Sequence, residues 1–370
     1  MAFEEFGFLM SGICAHTSLV ADRPILWTII ANPKAGGFTI KSRWKKHHAH
    51  LAECVQRANK NPLNEKAGPS KTALKEGRET GLIPTVAVGH ARNITDALIN
   101  EAIITADQGA AGPFYLIITA GGDGTSLDVL TGLYHAPPDV RKNFAVLRLP
   151  MGTGNDGADA PDLKKALDLL IEPAVISQQR AIMLYTASGK GPFMAFNILS
   201  VGLDAFVTHM TNRMKGKMPG DSYKLWVDIA ALFYDRLYKV DLMNIRALNE
   251  AGEEVKVISE KILLLAVGES GRRSYGSHKW ILPDERNVCA IKQMSVFRKI
   301  AIKGLFSTGT HITEKETMLW NATKIEFSPQ HPILAQMDGE TILLDKNDFP
   351  ARIELTEPVI PILKPNITIA

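Results

Sequence analysis

Only three of the 370 residues are cysteine, and Cys14, Cys54 and Cys289 lie far apart. That spacing offers neither a disulfide framework nor a zinc site, and it suits a reducing cytoplasm. No window holds the ~18 consecutive apolar residues that a spanning helix needs, so any membrane contact is expected to be peripheral. Charge of one sign is also scarce: 42 Lys and Arg face 39 Asp and Glu, a net of +3. That balance is too mild to argue for a nucleic-acid partner, and the basic run Lys41, Arg43, Lys45, Lys46, His47, His48 and His50 reads as a solvated helix face. The N-terminus has no basic run and carries Glu4 and Glu5, which argues against a secretory leader. Repeats and low-complexity tracts are absent. What remains is an ordinary globular composition, 45% apolar and 22% charged, in a chain long enough for about two domains.

Residues 1–23 show no clear period and read as a poorly ordered or loosely docked extension. From Ile25 a repeating pattern begins. Short apolar, β-branched runs at 25–31, 83–88, 114–119 and 144–149 alternate with helical spacing at 41–59, 92–106, 127–134 and 162–171, where Asp162 suits an N-cap. Residues 60–80, rich in Lys, Asn, Gly and Pro, read as a surface insertion. Strand–helix alternation of this kind predicts a parallel sheet with helices on both faces over residues 24–172. Beyond it, short β-like runs between turn signals predict a mostly antiparallel β-sandwich over 173–350, interrupted by one helix-like segment at 222–238.

Chemistry concentrates where the first four strands end. The most informative stretch is Ala120-Gly121-Gly122-Asp123-Gly124-Thr125, directly after an apolar run and before a helical one. A glycine-rich strand-to-helix turn lets the backbone approach an anion and points free N–H groups at it. An acid inside such a turn opposes a bare phosphate, and makes more sense beside a metal-bound phosphate or a proton transfer. The other strand ends read Asn32-Pro33-Lys34-Ala35-Gly36-Gly37, Gly89-His90-Ala91 and Gly152-Thr153-Gly154-Asn155-Asp156. Ligands of parallel sheets bind outside the carboxyl ends of the strands, so four such loops together point to a nucleotide. Far downstream, Asp338-Gly339-Glu340 sits between strand-like runs. Asp-Gly there is a strong hairpin signal, and a hairpin can present a carboxylate.

These elements, together with Asn197-x-x-x-Val201-Gly202-x-Asp204-Ala205, occur in the order and roughly the spacing of the diacylglycerol kinase catalytic family, which sphingosine kinases and bacterial soluble lipid kinases share. The resemblance spans roughly residues 24–362. Gly-Gly-Asp-Gly-Thr also occurs in NAD kinases; its pairing with Leu149-Pro150-x-Gly152-Thr153-x-Asn155-Asp156 separates the lipid kinases from them.

The resemblance implies an N-terminal α/β nucleotide domain, a C-terminal β-sandwich, and an active site between them. Residues 351–370 would return to the N-terminal domain. ATP would contact Asn32, Pro33, Lys34, Gly36, Thr85, Gly121, Gly122, Asp123, Gly124, Thr125, Ser126, Gly152, Thr153, Asn155 and Asp156. Glu340, with Asp338 beside it, would take the substrate proton. Asp123 would organise the Mg²⁺ nucleotide. The acceptor would be a hydroxyl of a lipid, diacylglycerol or a sphingoid-type base, presented at a membrane surface to a cytoplasmic enzyme; a homodimer is compatible with this reading. An NAD kinase-like enzyme, or a nucleotide-binding regulator without turnover, are the alternatives.

Three departures from the family pattern stand out. Asn155-Asp156 continues with Gly157-Ala158-Asp159 instead of an aromatic or Leu, Ala and Arg. Asp128 replaces a usual Glu. The stretch that holds a structural Mg²⁺ in some bacterial members reads Pro283-Asp284-Glu285-Arg286 here, with a cation among its acids, so that metal site is not carried over.

Overall fold

A computed structural model describes residues 2–15, 23–60, 81–107, 112–152, 155–214, 223–276 and 279–366. The chain forms two compact units, residues 1–179 with 359–370, and residues 180–358.

In the first unit, β1 (Ile25–Ala31), β2 (Leu82–Pro84), β3 (Phe114–Gly121) and β4 (Phe144–Pro150) lie parallel in the order β2-β1-β3-β4. Every residue of β3 and β4 is buried, as expected of strands covered on both faces by helices. The expected helices form at Lys41–Lys60, His90–Asp107, Asp123–His135 and Leu163–Ile171. Asp162 caps the last of them, accepting the Lys165 N–H. Strand Ile360–Pro365 adds to β4 in parallel and pairs antiparallel with Ala174–Gln179, completing six strands. The domain boundaries therefore differ from the expected 172 and 350. Residues 174–179 belong to the first unit because they pair with the returning strand. Ala351–Leu355 stays in the second unit, paired with Lys324–Pro329 and Ile182–Tyr185.

The N-terminal extension also needs correction. Ala2–Cys14 is a helix packed on Lys41–Lys60, and Phe6, Met10, Ile13 and Cys14 are fully buried in the core of the first unit. Burying such side chains yields roughly 1.5–3 kcal/mol each, which outweighs the ~1 kcal/mol that each helical glycine, Gly7 and Gly12, costs. Glu5 accepts from His48 Nε2 at 2.9 Å, so part of the basic helix face at 41–50 is paired with this helix. The expected insertion at 60–80 falls almost wholly outside the described residues.

The second unit is antiparallel and β-rich, as expected. Its eleven-stranded sheet is organised by one long strand, Glu254–Gly268. The first half pairs with Leu242–Leu248, and the second half with Ile198–Gly202 and Val288–Lys292. The sheet folds over a core that includes Leu184, Leu199, Ile245, Leu265, Phe327 and Ile353. Helix Leu203–Met214 packs on this sheet, and helices Val296–Lys303 and Leu305–Thr308 follow strand Val288–Lys292; none of the three is among the expected elements.

Candidate active site

The strand order reverses at β1, which has β2 on one side and β3 on the other. The crevice beyond such a switch point is where open α/β sheets hold ligands. The loops after β1, β3 and β4 meet there. Asn32 N–H donates to Ala120 O at 3.0 Å, Gly37 N–H to Met151 O at 2.9 Å, and Thr85 N–H to Ala31 O at 2.8 Å. Asn32 Oδ1 accepts the Lys34 N–H at 2.9 Å, closing the turn through Pro33.

The glycines follow from this contact between loops. A Cβ on Gly152 would lie 2.6 Å from Gly122 Cα, and one on Gly37 would lie 2.8 Å from Met151 O. One on Gly121 would collide with Thr125 Oγ1. Gly36 is buried at the start of its short helix, while Lys34 and Gly124 are exposed. Gly122 differs from its neighbours. Its φ of −92° and ψ of −175° suit any residue, and a Cβ there meets nothing within 4 Å. The backbone at 122 thus faces open space at the N-terminus of helix Asp123–His135, where the helix dipole and first-turn amides favour an anion.

Side chains brace this edge. Ser126 Oγ lies 3.0 Å from Thr119 Oγ1, and Asp123 Oδ1 accepts the Gly157 N–H at 3.3 Å. Asn155 has φ 57°, and its amide both accepts the Gly152 N–H at 2.5 Å and donates to Gly152 O at 3.0 Å. Asp156 follows in a partly exposed turn; Thr153 lies outside the described residues. The acid at 159, where the family usually has Arg, closes on a cation of the sheet. Arg148 on β4 donates to Asp159 through its backbone N–H at 2.7 Å and through Nη2 at 2.6 Å. Both side chains are buried, so the pair ties the end of the loop back to β4. Asp128 accepts N–H groups of Gly89 and Arg92, joining the Gly89 turn to the same helix; burial raises its carboxyl above the usual range.

In the second unit, strands Ile333–Met337 and Glu340–Leu344 form a hairpin whose turn is Asp338-Gly339, with φ 45° and 101°. Positive φ at both residues is the geometry of the Asp-Gly hairpin turn. Asp338 is buried, and its carboxylate accepts the N–H groups of Phe196 at 2.5 Å, Asn197 at 3.1 Å and Ile198 at 2.9 Å. Asp338, expected as a second catalytic acid, has its carboxylate oxygens engaged by these three backbone amides. Glu340 is exposed; its backbone pairs with Met337 across the hairpin, and its side chain makes no hydrogen bond to a described residue. Asn212 Nδ2 donates to Gly339 O at 2.8 Å, and His209 Nδ1 lies 3.2 Å from Thr341 Oγ1.

The same unit contains a cavity of about 160 Å³, lined mainly by apolar side chains such as Leu203, Val207, Leu264, Ile302 and Phe306, with Asp204, Asp228, Lys279, Lys299 and Lys303 as charged groups. Burial pushes the Asp204 carboxyl up to about 6. Pattern reading missed this cavity, because its lining comes from helices and strands far apart in sequence; Asp204 in the motif after Gly202 was the one local signal.

Among the described residues no three His, Cys, Asp or Glu side chains converge on one point. Asp284 accepts from Arg286 Nε and Nη2, and Glu285 from Arg272 Nε at 2.5 Å. The guanidinium of Arg286 holds the Asp284 carboxyl below the usual range. No described helix is long and apolar enough to cross a membrane.

Comparison with known proteins gives consistent results. The chain is 23% identical over 275 residues to the probable lipid kinase YegS-like of Enterobacter sp. (strain 638), covering 74% of this chain and 84% of that protein. It is 24% identical over 275 residues to a protein of the same name from Yersinia enterocolitica serotype O:8, covering 74% and 85%. A solved structure from Bacillus anthracis str. Sterne, named a "putative diacylglycerol kinase", shares the fold at a TM-score of 0.57 and 16% identity, over 94% of this chain and 97% of that one. The resemblance carried by the motifs is shown over residues 26–187, which match the diacylglycerol kinase catalytic domain.

Proposed function

We propose that this protein transfers the terminal phosphate of ATP to a hydroxyl group of a lipid, diacylglycerol or a sphingoid-type base. The observation that carries the reading is the interlocked loop edge of the first unit, which opens where Gly122 meets the start of helix Asp123–His135. Phosphoryl transfer demands positioning and charge neutralisation more than covalent chemistry from the protein, and this edge supplies backbone amides for both.

The residues fit a magnesium nucleotide in one respect. Mg²⁺ is commonly held by one or two carboxylates plus the substrate phosphates, and Asp123 is the acid at the cradle. The ion supplies charge neutralisation on the transferred group. Thr85, Lys34, Thr125, Ser126, Thr153, Asn155 and Asp156 complete the nucleotide contacts in this reading. Glu340 takes the proton as the lipid oxygen bonds to the γ-phosphorus and the bond to ADP breaks; its carboxylate is held at a rigid turn and has no described partner. Asp338 serves by fixing that turn. The apolar lining of the cavity suits an acyl chain, and its occupant would come from a membrane surface touched peripherally from the cytoplasm.

The test is transfer of label from γ-labelled ATP to dioleoylglycerol or sphingosine in mixed micelles. Labelled phospholipid is the expected product. Label on NAD, with none on either lipid, would replace this reading with an NAD kinase-like one.

A further inference from the structure

One buried side chain, Gln336, joins the apolar cavity of the second unit to the hairpin that carries Glu340. It is fully buried in strand Ile333–Met337. Its Nε2 donates to Ser200 Oγ at 3.0 Å and to Ile198 O at 3.4 Å, and reaches Asp204 Oδ2 at 3.5 Å. Ser200 Oγ in turn donates to Asp204 Oδ2 at 2.6 Å. At its other end, Gln336 Oε1 accepts the N–H of Gly339 at 3.1 Å.

The direction of this chain is fixed by chemistry. An ionised carboxylate only accepts hydrogen bonds, so the amide of Gln336 must turn its NH₂ toward Asp204. Its oxygen then faces Gly339. In the reversed amide, oxygen would face carboxylate and NH₂ would face N–H, and both contacts repel. Helix Leu203–Met214 runs beside the same connection. Its Leu203, Asp204 and Val207 line the cavity, while its Asn212 holds Gly339 O. Both polar atoms of Gly339 are thus bonded to groups that lead back to the cavity wall.

We propose that Gln336 is a positioning residue: it ties the cavity carboxylate Asp204 to the Gly339 amide, so that the cavity and its occupant set the direction in which Glu340 projects. The inference rests on the reading of Glu340 as proton acceptor, and it places acceptor discrimination in kcat. ATP binding lies outside this network.

The experiment uses the full chain carrying Gln336→Leu, a change close in volume that removes both polar ends. Amide exchange at Gly339 is followed by NMR, and turnover is measured on dioleoylglycerol micelles. Loss of a buried hydrogen bond predicts about tenfold faster exchange at Gly339 and about tenfold lower kcat, with KM for ATP within about twofold. Unchanged exchange, or unchanged kcat, overturns the proposal. Should Gln336→Leu fail to fold, Asp204→Asn serves in its place. An Asn there donates as well as accepts and so releases the amide orientation; faster exchange at Gly339 is expected, and wild-type exchange overturns the proposal. Glu340→Gln separates the two levels. Turnover surviving in that variant would remove the role of Glu340 and leave the Gly339 exchange of Gln336→Leu to decide the positioning.

Discussion

At the edge of the N-terminal sheet, Gly37, Gly121 and Gly152 are glycine because neighbouring atoms leave no room for a side chain, and Gly122 opens onto empty space. In the C-terminal hairpin the situation is reversed. Asp338 is wrapped by three amides, Gly339 is bonded through both its polar atoms, and the Glu340 side chain is exposed with no hydrogen bond to a described residue. In the proposed reading the first region works through its backbone, the second through one carboxylate on a braced turn. Adding a side chain should therefore damage ligand binding in the first region and leave the fold alone. Removing one in the second should damage either the fold or the chemistry, according to which acid is taken.

The largest effect expected from this contrast is on turnover. Glu340→Gln should lower lipid phosphorylation by about 10²–10⁴-fold, the range for loss of a general base, with an unchanged melting temperature because the side chain is exposed. A melting temperature well below wild type would show that Glu340 also holds the turn. Next comes Asp338→Ala, which strands three buried N–H groups and should cost roughly 3–5 kcal/mol of stability in the second unit. A denaturant midpoint equal to wild type would mean that the turn does not need its anchor.

A smaller effect concerns pH. Burial moves the Asp204 carboxyl from its ordinary 3.8 up to about 6. The folded protein then keeps a proton that the unfolded chain releases. Stability should fall as pH rises from about 4 to 6, by at most about 3 kcal/mol, and stay lower above that window. Thermal melts of wild type and Asp204→Asn across pH 4–7 check this: the variant should lose that component of the slope. Parallel curves for the two proteins would assign the slope to other groups.

How far this contrast could be read from sequence depended on how local each feature is. The strands β1, β3 and β4 are largely apolar runs followed by loops of Gly, Asn and Asp, and both run and break are visible within about ten residues. The Asp338-Gly339 turn announced itself in two. Commitment of Asp338 to amides 196–198 did not, because the partners lie far away in the chain. The same holds for strand Ala174–Gln179, which joins the first unit only through Ile360–Pro365. The N-terminal helix is a different case. Phe3, Phe6, Met10 and Ile13 already fall at helical spacing, and Gly7 and Gly12 hid it. Its aromatic rings, Phe3 and Phe6, pack edge-on against Phe38 at 5.4 and 5.1 Å, just after the Gly36-Gly37 turn, a contact between remote segments that no local pattern reveals.

The central claim is that the N-terminal loop edge holds phosphate through its backbone, with Gly122 at the opening. Calorimetric titration of Gly122→Val with Mg²⁺ and ATP tests it most directly. The backbone at 122 accepts a side chain and nothing lies within 4 Å of its Cβ, so the variant should melt like wild type. It should also bind ATP at least about tenfold more weakly, because the new side chain occupies the space the phosphates need. Wild-type ATP affinity in a normally folded Gly122→Val would contradict the account.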